Sequence, residues 1–70
     1  MHYVYILKSN QNKSLYIGCT NNLKRRISEH NNDESYYAKR YSPWMLIYFE
    51  GYLSKEDAYS REQSLKLHAQ

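Results

Sequence analysis

Punctuation is scarce in these 70 residues: two glycines, one proline and one cysteine. No apolar run approaches the roughly 18 residues that a membrane-spanning helix needs. The single cysteine, Cys19, cannot form an internal disulfide, and no Cys/His grouping has zinc spacing. Met1-His2-Tyr3-Val4-Tyr5-Ile6-Leu7-Lys8 lacks a charged lead into a long apolar stretch, which predicts no signal peptide. A reducing cytosol, away from any membrane, is the expected location. So little Gly and Pro beside 41% hydrophobic and 24% charged residues excludes collagen-like and disordered classes. The length excludes a second domain, a large substrate cavity and a Rossmann-sized unit. Residues 1–70 are therefore expected to form one domain without a small-molecule cofactor. A domain of this size buries only roughly 60% of its unfolded surface.

Phe and Trp are equally scarce, one of each, but there are nine tyrosines. Tyr buries a large ring and keeps a hydroxyl available. The excess points to a partly wet core, or to a surface that meets planar or phosphate-bearing ligands. Ten Lys and Arg against seven Asp and Glu give a net charge of +3, which permits a nucleic-acid partner without demanding one.

Residues 3–8 read as a strand, apolar or aromatic on both faces and so central in its sheet. Residues 9–14 are turn chemistry. Leu15-Tyr16-Ile17-Gly18-Cys19 is a second strand and hairpin partner, with Gly18 leaving room for a close approach to the backbone. Asn21 or Asn22 caps a helix from Leu23, which Asn31-Asn32 stops. Residues 31–43 are a polar connection ended by Pro43, and residues 44–52 a third strand. Ser54-Lys55-Glu56-Asp57 resembles a capping box and opens a helix to about Leu67. The fold class is α+β: a three-stranded antiparallel sheet with packed helices, in the order β-β-α-β-α. Leu67-His68-Ala69-Gln70 carries no stop signal, which points to a natural polypeptide that continues.

Within the last helix, Ala58, Glu62, Leu65 and Ala69 share one face, so Glu62 sits among the residues that face the sheet. Glu is seldom buried unless it is paired or binds metal. The plainer reading is a structural pair with Arg61 or Lys66. In the first helix, Leu23, Ile27 and His30 form a stripe, and a step of about 100° per residue puts Arg26 at its edge. Arg26 and His30 can then point along one rim while Lys24 and Arg25 face water. An arginine held at a rim suits bidentate phosphate binding; the plainer readings are a solvated basic face and a boundary histidine. Tyr5 shares a strand face with Tyr3 and Leu7, and Tyr16 shares one with Gly18, so a suitable hairpin register sets two hydroxyls side by side. Core packing is the plainer alternative.

Tyr3-Val4-Tyr5, Tyr16-Ile17-Gly18, Arg26, His30 and a helical Glu62 together resemble the GIY-YIG nuclease family, in its short stand-alone form. The resemblance covers essentially the whole chain. Tyr16-Ile17-Gly18 matches the second motif fully, whereas Tyr3 and Val4 replace the Gly and Ile of the first. Residues 23–31 resemble the Arg-bearing helix, and Ser42-Pro43-Trp44 and Arg61-Glu62 also fit the short members.

The resemblance implies hydrolysis of a DNA phosphodiester. It implies that Glu62 holds one divalent metal, Mg²⁺ or Mn²⁺, and that Tyr5 acts as, or helps to form, the general base. By the same resemblance Tyr16 bonds the attacking group or the scissile phosphate, Arg26 stabilises charge on phosphorus, and His30 assists from the rim. Gly18 would let backbone and substrate approach. A tyrosine base needs its pKa brought from about 10 to about 7, roughly 4 kcal/mol of differential stabilisation; otherwise Tyr5 orients the water and a metal-bound hydroxide attacks. Two departures stand out: the chain ends before the late polar residue the family often carries, and Cys19 stands where several relatives have Ser, Thr or Lys.

Tyr36-Tyr37-Ala38-Lys39-Arg40-Tyr41 interleaves aromatic and basic residues in a predicted loop. Lys39 and Arg40 can attract phosphates, and Tyr36, Tyr37 and Tyr41 can stack on unpaired bases. With Lys24 and Arg25 they would form a DNA track; the plainer reading has these tyrosines fold back on the core. Tyr3, Tyr48, Tyr52 and Tyr59 are expected to pack. Without a separate DNA-reading domain, binding should be weak, salt-dependent and of low sequence specificity, with a preference for branched or single-stranded DNA by analogy to junction enzymes. Two other readings compete: a non-catalytic nucleic-acid-binding module using strand tyrosines as stacking platforms, and a domain active only with a partner protein that targets it.

Overall fold

The computed structural model describes residues 1–33 and 35–68. The chain forms β1 (His2–Ser9), β2 (Leu15–Thr20), α1 (Leu23–Asn31), α2 (Tyr36–Arg40), β3 (Trp44–Tyr52) and α3 (Lys55–His68). The sheet order is β2-β1-β3, antiparallel throughout. β1 is central, as its two apolar faces require: Val4, Tyr5 and Leu7 are all buried although alternate residues point to opposite faces. Among the described residues no helix is long and apolar enough to cross a membrane.

The β1–β2 turn is built on Ser9. Its buried Oγ donates to the Tyr41 carbonyl at 2.6 Å and accepts from the amides of Gln11 and Asn12. Lys13 takes the left-handed conformation, with φ of 66°. Opposed residues of an antiparallel pair share a face, so the register sorts the sheet into two sides. Tyr5, Leu7 and Trp44 form one core, closed by Tyr16, Leu23, Ile27, Tyr41 and Leu46. Val4, Cys19 and Glu50 lie in one row on the other side. There α3 packs: the Cys19 thiol donates to the Ala58 carbonyl at 3.4 Å, and Arg61 pairs with Glu50 at 2.9 Å.

Both main helices begin where their caps predict. Asn22 Oδ1 accepts from the Arg25 amide at 3.0 Å, and Ser54 Oγ accepts from the Asp57 amide at 3.3 Å. Ala58 and Glu62 are the buried residues of α3, on the face expected of them. Ala69, the last residue of that expected face, lies outside the described residues.

The connection over residues 31–43 departs from the expected loop. It contains α2, capped by Ser35 Oγ, which accepts from the Ala38 amide at 3.4 Å. Ala38 is buried and its carbonyl accepts from Trp44 Nε1 at 3.1 Å, so the short helix is fixed by a tryptophan six residues later. Asn31 clasps the same tryptophan: its Oδ1 accepts from the Trp44 amide and its Nδ2 donates to the Trp44 carbonyl.

Candidate active site

The site forms where α1 and α3, lying on opposite faces of the sheet, both approach the outer strand β2. Tyr5 is 1% exposed, and its hydroxyl accepts a hydrogen bond from Arg26 Nε at 3.2 Å. The bond follows from the helical wheel: Arg26 stands at the margin of the stripe that Leu23 and Ile27 bury. Register decides the rest. Gly18, not Tyr16, lies directly opposite Tyr5, and Tyr16 lies opposite Leu7. The two tyrosines are therefore diagonal neighbours, with ring centroids 6.3 Å apart and planes at 27°.

Gly18 serves a different purpose from the one expected. A Cβ built there would stand 2.5 Å from the Tyr5 hydroxyl oxygen and 2.8 Å from its Cζ. What approaches the backbone at Gly18 is the phenol of Tyr5, which fills the space that substrate was expected to use. Since no glycine has a positive φ, Gly18 is needed for room rather than for conformation.

Glu62 is buried, at 9% exposure, and Lys66 Nζ holds its Oε2 at 2.6 Å, one helical turn on. Of the two pairs open to it in sequence, the Lys66 pair forms, because Arg61 reaches across to Glu50 instead. The Glu62 charge is close enough to raise the pKa of both Tyr5 and Cys19. For Cys19 burial is the larger cause, and the thiol is pushed up to about 12. Cys19 is thus a neutral donor aimed at α3, and not a phosphate contact.

Burial also raises the pKa of Tyr5 above its ordinary 10, outweighing the bond and charge of Arg26, which pull it down. The Arg26 guanidinium is held protonated still more firmly than usual, first by the Tyr5 bond and less by Tyr16. His30 does not stand on an open rim. It is 7% exposed, its ring packed between Tyr16 at 4.6 Å and Trp44 at 4.9 Å. Its Nε2 is buried without a hydrogen-bond partner among the described residues. Burial and the nearby Arg26 charge lower its pKa, so the ring is a neutral support beneath Tyr16.

The expected DNA track divides. Lys24 and Arg25 are exposed near the start of α1, with Arg25 bonded to Asn21 at 3.1 Å. Lys39 and Arg40 lie in α2, which follows the opposite end of α1, so the two basic groups are not continuous. Arg40 lies over the rings of Tyr36 and Tyr41 and donates a hydrogen bond to the Tyr36 hydroxyl. Tyr41 belongs to the core, and Tyr37 leans on Tyr41 at 4.9 Å and Trp44 at 6.0 Å, so both fold back rather than present a free stacking face. Tyr36 is the most exposed of the three, at 74%, with Arg40 over one face of its ring. Tyr3 packs edge-on to Phe49, and Tyr48 and Tyr52 both donate to Glu50. Tyr59 does not pack: it is 61% exposed beside a cleft that includes Arg26. Sequence reasoning passed over Lys55, Tyr59 and His2 as site residues, although the i, i+4 spacing of Lys55 and Tyr59 would have placed them together on α3.

Among the described residues there is no group of three or more His, Cys, Asp or Glu that could hold a metal. A single carboxylate is nevertheless enough for an ion of the Mg²⁺ type, which keeps most of its ligands as water. A carboxylate offers about four lone-pair sites, so the Lys66 contact to Oε2 does not saturate Glu62. Such an ion would have Glu62 as its one protein ligand here.

Compared with known proteins, the chain is matched over residues 1–70 by the GIY-YIG catalytic domain. It is 48% identical over 67 residues to a UPF0213 protein of Clostridium perfringens, covering 94% of this chain and 71% of that protein. It is 44% identical over 66 residues to a UPF0213 protein of Staphylococcus haemolyticus, covering 93% and 79% respectively. The solution NMR structure of a UPF0213 protein from Bacillus halodurans matches with a TM-score of 0.58 at 34% identity, covering 94% of this chain and 70% of that one.

Proposed function

The chain belongs to the GIY-YIG family, whose members are generally DNA endonucleases, and on that premise we propose that it hydrolyses DNA phosphodiester bonds in a metal-dependent reaction of low sequence specificity. The observation that carries this reading is the bond from Arg26 to the buried Tyr5 hydroxyl, with the buried Glu62 within electrostatic reach of the same phenol. A divalent ion held by Glu62 would polarise the phosphoryl or leaving oxygen.

The residues take the following parts. Arg26 turns its guanidinium toward the phosphate and stabilises the charge that develops there, a positioned cation being worth far more in a partly dry site than in water. Tyr5 acts as a hydroxyl and not as a phenolate, because its pKa is raised. Its oxygen accepts from Arg26, which leaves its proton free to orient the attacking water or a phosphate oxygen. Tyr16 offers a second hydroxyl beside it, and His30 fixes the Tyr16 ring from below. Water attacks phosphorus and gives up a proton to solvent, the bond from phosphorus to the leaving sugar oxygen breaks, and that oxygen takes up a proton from solvent. Branched or single-stranded DNA is the expected substrate. The stacking-platform alternative finds no support in Tyr5, which is too deeply buried to meet a base.

The test is a nicking assay on junction, flap, single-stranded and plain duplex DNA with Mg²⁺ or Mn²⁺. Glu62→Ala should lower cleavage by about 10²-fold or more while leaving the far-UV circular dichroism spectrum unchanged. No cutting by the wild type with either ion, or equal cutting by Glu62→Ala, sinks the proposal.

A further inference from the structure

A cleft of about 370 Å³ opens between α1 and α3 at the end of β2. Its walls carry Arg25, Arg26 and Glu29 from α1, Lys55 and Tyr59 from α3, and His2 from β1. Three permanent cations face one carboxylate there. Glu29 is already engaged by Arg25 at 3.9 Å and by Arg26 at 3.6 Å, while Lys55 makes no ion pair among the described residues. Tyr59 stands one helical turn after Lys55 with its ring 61% exposed. A large aromatic left in solvent beside an unneutralised lysine is poorly explained by packing. It matches the combination that holds single-stranded nucleic acid, a cation for the backbone and a ring for the base.

We propose that this cleft is a nucleotide subsite for the DNA strand next to the reacting phosphate. Lys55 and Arg25 take a neighbouring phosphodiester, and Tyr59 stacks on an unpaired base. The inference rests on the nuclease reading for the identity of the ligand. Arg26 connects the two places, since it lines the cleft and also bonds Tyr5. An unpaired base is specified because a base within a duplex already has both faces stacked. The substrate class is thereby narrowed to DNA with a single-stranded segment at the cut.

The experiment is fluorescence anisotropy of a labelled single-stranded DNA oligonucleotide, with EDTA present so that binding is read apart from cleavage. Tyr59→Ala should weaken binding by about five-fold or more, and Tyr59→Phe, which keeps the ring, should stay within about two-fold of the wild type. Lys55→Ala should weaken binding and lower the slope of log affinity against log salt by about 0.7. Lys13→Asn removes an equal charge at the far end of β2, at a left-handed position that Asn tolerates, and should change little. The subsite is refuted if Tyr59→Ala binds as tightly as the wild type, or if Lys13→Asn weakens binding as much as Lys55→Ala. A wild type that binds but never cleaves overturns the nuclease reading and leaves this measurement intact.

Discussion

Replacing Gly18 by alanine should destabilise the protein, although alanine is ordinarily the better residue inside a strand. The new Cβ would stand 2.5 Å from Tyr5 Oη and 2.8 Å from Tyr5 Cζ. Ordinary separations begin near about 3.5 Å, so the phenol would have to retreat by roughly 0.7–1 Å. It has nowhere cheap to go, being 1% exposed, flanked by Tyr16 and tied to Arg26. Overpacking of this kind costs about 1–3 kcal/mol, against a gain of roughly 0.5–1 kcal/mol from removing a strand glycine. The net loss centres near about 1.3 kcal/mol, or a fall of roughly 5–10 °C in Tm for a domain of this size. Gly51→Ala is the internal control. Its Cβ would meet Met1 Sδ at 2.7 Å, but Met1 is a flexible, 63% exposed side chain that can swing aside. That variant should keep its Tm or gain a few degrees. Thermal melts followed by circular dichroism decide the matter: a Gly18→Ala protein melting at or above the wild type, or two glycine variants shifting alike, refutes the reasoning.

Two further outcomes follow from the same contacts. Arg26→Ala leaves the buried Tyr5 hydroxyl without its donor and should cost about 1–3 kcal/mol; the loss should shrink when Tyr5 is already Phe, so a double-mutant cycle by urea melts should give a coupling of roughly 0.5–3 kcal/mol, and strict additivity would contradict the bond. Arg61, then the Tyr48 and Tyr52 hydroxyls, hold the Glu50 carboxyl down at about 2 from 4.5. A carboxyl depressed on folding contributes stability that is complete above 4.5 and lost as pH falls toward 2. Tm should therefore drop across that window in the wild type and less in Glu50→Gln, and parallel curves would rule the clamp out.

Much of this was open to inspection in the chain itself, and the exceptions have physical causes. β1 announced its central place by apolar residues on both faces, and β3 runs over the very residues expected, 44–52. Glu62 was readable as a buried carboxylate because Ala58 shares its face, and Lys66 because it stands one turn on. α2 was missed because five residues are too few to establish a helical period, and its anchor is the indole of Trp44. Contacts through space were equally closed to a reading along the chain. Nothing local tells that Cys19 meets the Ala58 carbonyl 39 residues away, or that Arg61 prefers Glu50 to the adjacent Glu62 face. The tyrosines divided partly as expected: Tyr5 and Tyr16 do meet near Arg26, but Tyr41 belongs to the core and Tyr59 to the surface.

The way Arg26 is shared explains how one small site can be both stable and receptive. Its Nε is committed inward, to the buried Tyr5 phenol, and that bond orients the guanidinium. Its Nη1 faces outward to Glu29 at 3.6 Å, in a pair whose side chains are 38% and 53% exposed. Exposed pairs of this kind are worth only about 0–1 kcal/mol, so the proposed phosphodiester would displace Glu29 at small cost. It cannot as readily displace Tyr5, whose hydroxyl would be left buried and unpaired. The arginine is thus held on one edge and available on the other. Gly18 is what lets the holding edge exist, because any side chain there would push the phenol out of reach of Nε.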